Sequence, residues 1–430
     1  TTFFISVLLF FLGSGIWVAL SMIGVSAIGM MLFTSRPVGD AMATTIWGTS
    51  SSWTLTALPL FVWMGEILFR TKLSENLFKG LSPWMQRLPG GLIHVNVVGC
   101  ALFAAISGSS AATVATVGKM SIPELRKRNY PEKILLGSLA GSGTLGLLIP
   151  PSIILIIYGV AVQESIAKLF IAGIIPGIMI ALIFMSYVII WSLINKKSMP
   201  KIIEKYSFLE KIKRSKQLLP VIILISAVIG SIYTGIATAT EAASLGVVGA
   251  LVLSYFQKSL TLKTFKSSLL GATKTSCMIA FILAGSTFLS LAMGFTGLPR
   301  NLALWIQNME LSPYVLIFVL MIFYIILGMF LDGISAVVLT MAIIEPMIRQ
   351  AGFDMIWFGI FLVIVVEMAQ ITPPVGFNLF VLQGMAKKDM GYIARSAFSL
   401  FLLMVLAVIL VVIFPEIALW MPEQMIKNLN

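Results

Sequence analysis

Charge is scarce in this 430-residue sequence: Asp, Glu, Lys and Arg make up 11% of it, against about 25% in an ordinary soluble domain. Histidine occurs once, as His94, which leaves little material for metal sites or proton relays built from several imidazoles. We expect His94 to serve packing. Cysteine occurs twice, as Cys100 and Cys277, both inside apolar stretches where a free thiol behaves as a small hydrophobe, so no disulfide framework is implied. No carboxylate pair stands beside a nucleophile, and that argues against an enzyme.

Apolar residues take up 59% of the chain, and the mean hydropathy is +1.02. Runs long enough to cross roughly 30 Å of hydrocarbon, about 20 helical residues each, recur from end to end. No soluble domain fits between them. Lipid offers no partners to backbone amides, so a spanning chain forms helices or a closed barrel. Barrels read as short alternating segments, and this sequence reads as runs. An all-α membrane protein follows.

The net charge of +12 lies in short connectors, which marks topology and not nucleic-acid binding. Half of it falls in one loop, where Lys196, Lys197, Lys201, Lys205, Lys211, Lys213, Arg214 and Lys216 face only Glu204 and Glu210. This loop is expected in the cytoplasm. Trp47, Trp53, Trp84, Trp305 and Trp420 suit interfacial anchors. Phe3 to Phe33 lacks a basic leader and a small-residue cleavage site, so it reads as structure and not a signal peptide; the halves have opposite orientation if it forms two short spans turning near Ser21.

Two unusual pairs of segments recur. The first half carries Ser107-Gly108-Ser109-Ser110, then Gly146-Leu147-Leu148-Ile149-Pro150-Pro151-Ser152; the second carries Asp332-Gly333-Ile334-Ser335, then Thr372-Pro373-Pro374-Val375-Gly376-Phe377-Asn378. Pro150 follows Gly108 by 42 positions, and Pro373 follows Gly333 by 40. Proline pairs break helices, and at membrane depth a broken backbone is tolerated only where it is buried in protein or lines a cavity. Matched breaks in two halves point to a site.

Charges then orient the segments. Lys79 and Arg87 precede the run Gly91 to Ile106, and Arg126, Lys127 and Arg128 follow the run Ala111 to Ile122. Both ends read as cytoplasmic, which makes Gly91 to Ile122 a re-entrant hairpin turning near Ser107 to Ser110. The stretch Pro313 to Ile348, turning at Asp332-Gly333, forms a second hairpin that enters from outside. Broken helices are expected over Ile134 to Ala161 and Ile356 to Met385. Simple spans are expected over Leu169 to Ile194, Leu218 to Tyr233, Ala242 to Phe256, Cys277 to Met293 and Ser396 to Phe414.

These residues resemble the large membrane subunit of the tripartite ATP-independent periplasmic (TRAP) transporters over essentially the whole chain. The most specific pieces are Ser107 to Gly118, Gly137 to Ser152, Gly328 to Pro346 and Thr372 to Asn378. The resemblance implies an inverted-repeat, elevator-type transporter of the ion transporter superfamily, multi-pass in a bacterial inner membrane and coupled to sodium. In that scheme 1–86 and 166–295 are scaffold with interfacial arms, 87–165 and 296–387 form the transport domain, and 388–430 is a C-terminal helix. It also implies a small membrane (Q) subunit, and a soluble binding (P) protein that delivers an organic acid of the sialic acid or C4-dicarboxylate class. A stand-alone sodium- or proton-coupled carboxylate carrier is the alternative.

Broken helices present carbonyl and amide ends at mid-membrane, where they bind cations and anions respectively. Sodium as coupling ion would find oxygen ligands at Ser107, Ser110, Gly146, Ile149 and Pro150. By the repeat, Gly333, Ser335, Thr372, Val375 and Gly376 form a second cluster. The competing reading is that these small residues serve helix packing. Ser109, Asp332 and Asn378 are the candidate substrate contacts; Asp332 reads equally as a helix cap, and Asn378 equally as a core hydrogen bond. Glu367 and Glu241 read as structural, Glu367 by pairing with a buried cation. No catalytic residue or organic cofactor is expected. Gly141 to Gly146 fits G-x-G-x-x-G but lies inside a membrane helix without a preceding strand, so a dinucleotide site is rejected. Gly137 with Gly141, and Gly173 with Gly177, mark close helix contacts.

Overall fold

The computed structural model describes residues 2–71, 73–200, 206–216, 218–297 and 312–429, and every regular element among them is helical. In chain order the helices are α1 (Thr2–Gly13), α2 (Val18–Phe33), α3 (Val38–Ser50), α4 (Ala57–Phe69), α5 (Leu73–Met85), α6 (Ile93–Ser107), α7 (Ser110–Lys127), α8 (Glu132–Gly143), α9 (Ile153–Val162) and α10 (Ile166–Ile194). They continue with α11 (Phe208–Ser215), α12 (Leu219–Tyr233), α13 (Ala239–Phe256), α14 (Leu262–Phe295), α15 (Pro313–Gly328), α16 (Gly333–Gln350), α17 (Met355–Ala369), α18 (Phe377–Ala386), α19 (Met390–Ile413) and α20 (Glu416–Leu429). Among the described residues five helices are long and apolar enough to cross a membrane, or up to seven if each bent pair counts as one span.

Local chemistry starts these helices where the sequence supplies an oxygen. Ser109, Ser152, Ser165, Thr238, Thr261, Ser312, Asp332 and Asp389 each accept a backbone N–H three residues on, a bond whose loss costs about 0.5–2 kcal/mol. Glu241 completes a capping box by accepting the Thr238 N–H at 2.8 Å, which is the structural role expected of it.

Two groups of helices pack together. In one, α14 lies against α2, α3 and α4, and α13 against α4 and α12. In the other, α6 packs on α7 and α8, α18 on α7, α16 on α9, and α19 on α8 and α17. Small residues permit the closest approaches: a Cβ at Gly137 would stand 2.3 Å from the Ser396 carbonyl oxygen, and one at Gly173 would stand 2.7 Å from that of Leu148. Apolar side chains cover the outside as well as the core. Phe398, Leu402, Leu406, Ile409 and Ile413 of α19 are all exposed, as suits lipid contact.

Differences from the expected layout have local causes. The first turn falls at Ser14–Trp17 and not near Ser21: Gly15 takes φ 82°, while Ser21 stays helical with its hydroxyl donating to the Ile16 carbonyl at 3.4 Å. The span expected to begin at Cys277 starts at Leu262, because Thr261 and Thr264 build a capping box there. Trp47, Trp53, Trp84 and Trp420 are exposed as anchors should be. Trp305, Lys201, Glu204 and Lys205 lie outside the described residues.

Candidate functional site

Between α6 and α7 the chain turns at Gly108, which takes φ 56°. Between α15 and α16 it turns at Met329–Asp332, with Asp332 Oδ2 accepting the Ser335 N–H at 3.2 Å. Both turns open on one cavity of about 300 Å³, lined by Ser107–Ala112 from the first and Asp332–Ile334 from the second. Leu147 and Ile153 bring the first broken segment to it, and Gln370 and Phe377 the second. The opposite wall belongs to α4 and α14, through Glu66, Phe69, Thr275 and Met278.

The expected breaks are present. The backbone from Leu148 to Ser152 separates α8, with its following 3-10 turn, from α9, and Gln370 to Gly376 separates α17 from α18. The Pro150-Pro151 and Pro373-Pro374 peptide bonds are both cis. Gly146 is pressed against the first tip: a Cβ there would lie 2.6 Å from Ser110 Cα and 2.8 Å from the Ser109 carbonyl oxygen. Ile149 and Pro150 are not part of the cavity lining, and their side chains pack toward Gly177 and Gly173 of α10.

The residues expected in the second cluster are more dispersed. Gly333 lines the cavity against Val366 and Ile154, and Ser335, two residues on in the first turn of α16, is buried. The Thr372 carbonyl oxygen lies beside Gly376, 2.8 Å from where a Cβ would stand, and its hydroxyl donates to the Met368 carbonyl at 2.8 Å. Pro373, Pro374 and Val375 are exposed. Asn378 is buried away from the cavity lining, with its amide nitrogen beside Gly143 and both amide atoms without a partner among the described residues.

Glu367 departs from the pairing expected of it. Its carboxylate is fully buried in α17 and meets no basic group among the described residues; instead Oε1 accepts the hydroxyl proton of Ser110, and Oε2 has no partner. This bond ties the first tip to the second half across 257 positions of sequence, and no local pattern announces it. Gln370 and Glu66 went unrecognised in the sequence for the same reason, since only the fold brings them to the cavity. His94 is buried, with Nε2 2.8 Å from the Pro89 carbonyl oxygen, as a packing residue.

Comparison with known proteins agrees with this architecture. Residues 4–417 match the family described as the tripartite ATP-independent periplasmic transporter, DctM component. The C4-dicarboxylate TRAP transporter large permease protein DctM of Pseudomonas aeruginosa is 32% identical over 92% of this chain and 92% of its own. The sialic acid TRAP transporter large permease protein SiaM of Vibrio cholerae is 30% identical over 95% of each chain. Among solved structures, the YdaH transporter of Alcanivorax borkumensis shares the fold with a TM-score of 0.67 at 11% identity, covering 96% of this chain and 99% of that one. The chain therefore belongs to the DctM family, as a large membrane subunit of a TRAP transporter.

Proposed function

We propose that this subunit imports an organic acid across an inner membrane by an elevator motion driven by sodium. A small membrane subunit and a soluble binding protein would work with it. The observation that carries this reading is the convergence of two hairpin turns and two broken helices, from separate halves of the chain, on one cavity. Their opposed helix ends suit cations and a carboxylate together. In this reading one sodium sits at Ser107, Ser110, Gly146, Ile149 and Pro150, and another at Gly333, Ser335, Thr372, Val375 and Gly376. Ser109 and Asp332 face the substrate from the tips, while Asn378, the third candidate contact, is set back from the cavity lining beside Gly143.

The crossed pairing of the halves supports an inverted repeat, since each hairpin packs on the other half's broken helix, α7 on α18 and α16 on α9. A second cavity of about 970 Å³, lined by residues such as Thr44, Thr49, Gln163 and Thr238, lies at the far end of α9. The ten residues of α9 span about 15 Å. A carrier block moving by about that much would shift the tip cavity toward the second one.

The test is uptake into proteoliposomes holding this chain, its small subunit and the cognate binding protein. Uptake of the binding protein's own ligand should require an inward sodium gradient and all three components. Full uptake by this chain alone would instead favour a stand-alone carrier.

A further inference from the structure

The tip cavity has a charge pattern of its own. Its walls hold Asp332 and Glu66 and, among the described residues, no lysine, arginine or histidine. Arg70, one turn along α4, pairs with Glu66 and turns its other N–H groups to Ser267 of α14, Nε to the hydroxyl at 2.7 Å and Nη2 to the carbonyl at 3.2 Å. The guanidinium thus cancels Glu66 from outside the cavity. A further polar wall group is Gln370, only 4% exposed, whose amide nitrogen has no partner among the described residues. A buried donor of this kind is unfavourable unless an acceptor meets it, and a substrate oxygen in the cavity is one.

We infer that the cavity takes a small acid with a single negative charge and hydroxyl or amino groups along its length, and that Gln370 is a specificity-determining contact in it. The inference rests on the sodium-coupled reading above. With one sodium in each cluster, the two positive charges are met by Asp332 and one substrate carboxylate. A second substrate carboxylate would lie near Asp332 with nothing to neutralise it, and any charge on Glu367 adds to that excess. Discrimination by like charge is a repulsive device. Among the described residues Asp332 accepts one N–H bond, from Ser335, so its remaining lone pairs suit a donor on the substrate, while Gln370 Nε2 suits an acceptor.

Three probes separate the possibilities on the purified chain in detergent, by calorimetry and thermal unfolding in sodium and in potassium: D-gluconate with one carboxylate, succinate with two, and sorbitol with none. Gluconate should bind in sodium at least about ten-fold more tightly than succinate, with sorbitol inert. Asp332→Asn keeps a capping side chain and should erase most of that preference by admitting succinate. Gln370→Leu should weaken gluconate by about ten-fold while leaving the unliganded melting temperature unchanged. Succinate binding as tightly as gluconate to the unsubstituted chain would overturn the charge rule and leave sodium coupling standing. Equal binding in sodium and potassium would overturn the coupled reading and this inference with it. If sodium raises the melting temperature and no acid binds, the cavity is wrongly assigned.

Discussion

Arg126, in the last turn of α7, donates from Nη2 to the carbonyl of Ala386, the last residue of α18, at 2.8 Å. Arg349, in the last turn of α16, donates in the same way to the carbonyl of Val162, the last residue of α9, at 3.0 Å. Each half-helix therefore ends on a cation supplied by the hairpin of the other half, where the partial negative charge of a helix C-terminus favours it. Acids hold both guanidinium groups in place, Glu132 for Arg126 and Glu345 with Glu164 for Arg349. Both arginines are partly exposed, so Arg126→Ala and Arg349→Ala should each lower stability by about 1 kcal/mol. Thermal unfolding in detergent reads this, and if the two sites are independent the double variant should lose the sum to within about 0.5 kcal/mol.

An inverted repeat would put the two arginine sites on opposite membrane faces. Lys79, Lys127 and Gln350 all have exposed side chains. In a cysteine-free background, cysteines at Lys79 and Lys127 should react with an impermeant reagent from the cytoplasm, and one at Gln350 from outside. Labelling of Lys79→Cys and Lys127→Cys from opposite sides would make α6 and α7 a crossing segment and end the re-entrant reading.

Backbone contact makes Gly146 a sensitive probe of the first tip. Its missing Cβ would meet Ser110 and Ser109 main-chain atoms that cannot rotate away, so Gly146→Ala should cost about 1–3 kcal/mol by overpacking. Gly384 of α18 has nothing within 4 Å of its missing Cβ, and Gly384→Ala should be neutral or stabilising by up to about 1 kcal/mol. Equal effects from the two would show that the tip has room to move away from Gly146.

The breaks and turns of this fold were legible because their signals are local. Pro150-Pro151 and Pro373-Pro374 stop helices wherever they occur, and Ser109 and Asp332 start them with their own oxygens. The close contact at Gly137 was legible too, since small residues spaced by four make a groove. The bond from Ser110 to Glu367 was not, because its partners lie 257 positions apart and only the packed halves align them. Gln370 gave no signal for the same reason: its importance comes from the cavity beside it. The bend of 52° between α3 and α4 was missed because the polar run Thr49–Thr56 contains no proline or glycine to mark it.

Ser110 and Thr372 test the proposed ion sites most directly. Each hydroxyl donates its proton inside the protein, to Glu367 and to the Met368 carbonyl respectively, and keeps lone pairs that suit a cation. Ser110→Ala and Thr372→Val should each raise the sodium half-saturation of transport by about five-fold to a hundred-fold, from about 1–3 kcal/mol per lost ligand. Glu367→Gln keeps an acceptor for Ser110, so its effect should be smaller than that of Glu367→Leu. Because binding linkage is reciprocal, the Ser110 and Thr372 variants should also need more substrate, and higher sodium should restore part of the loss. Simple packing damage gives another pattern, with lower yield and melting temperature but an unchanged sodium half-saturation in the surviving protein. That pattern in both variants would reduce the two clusters to small-residue helix contacts.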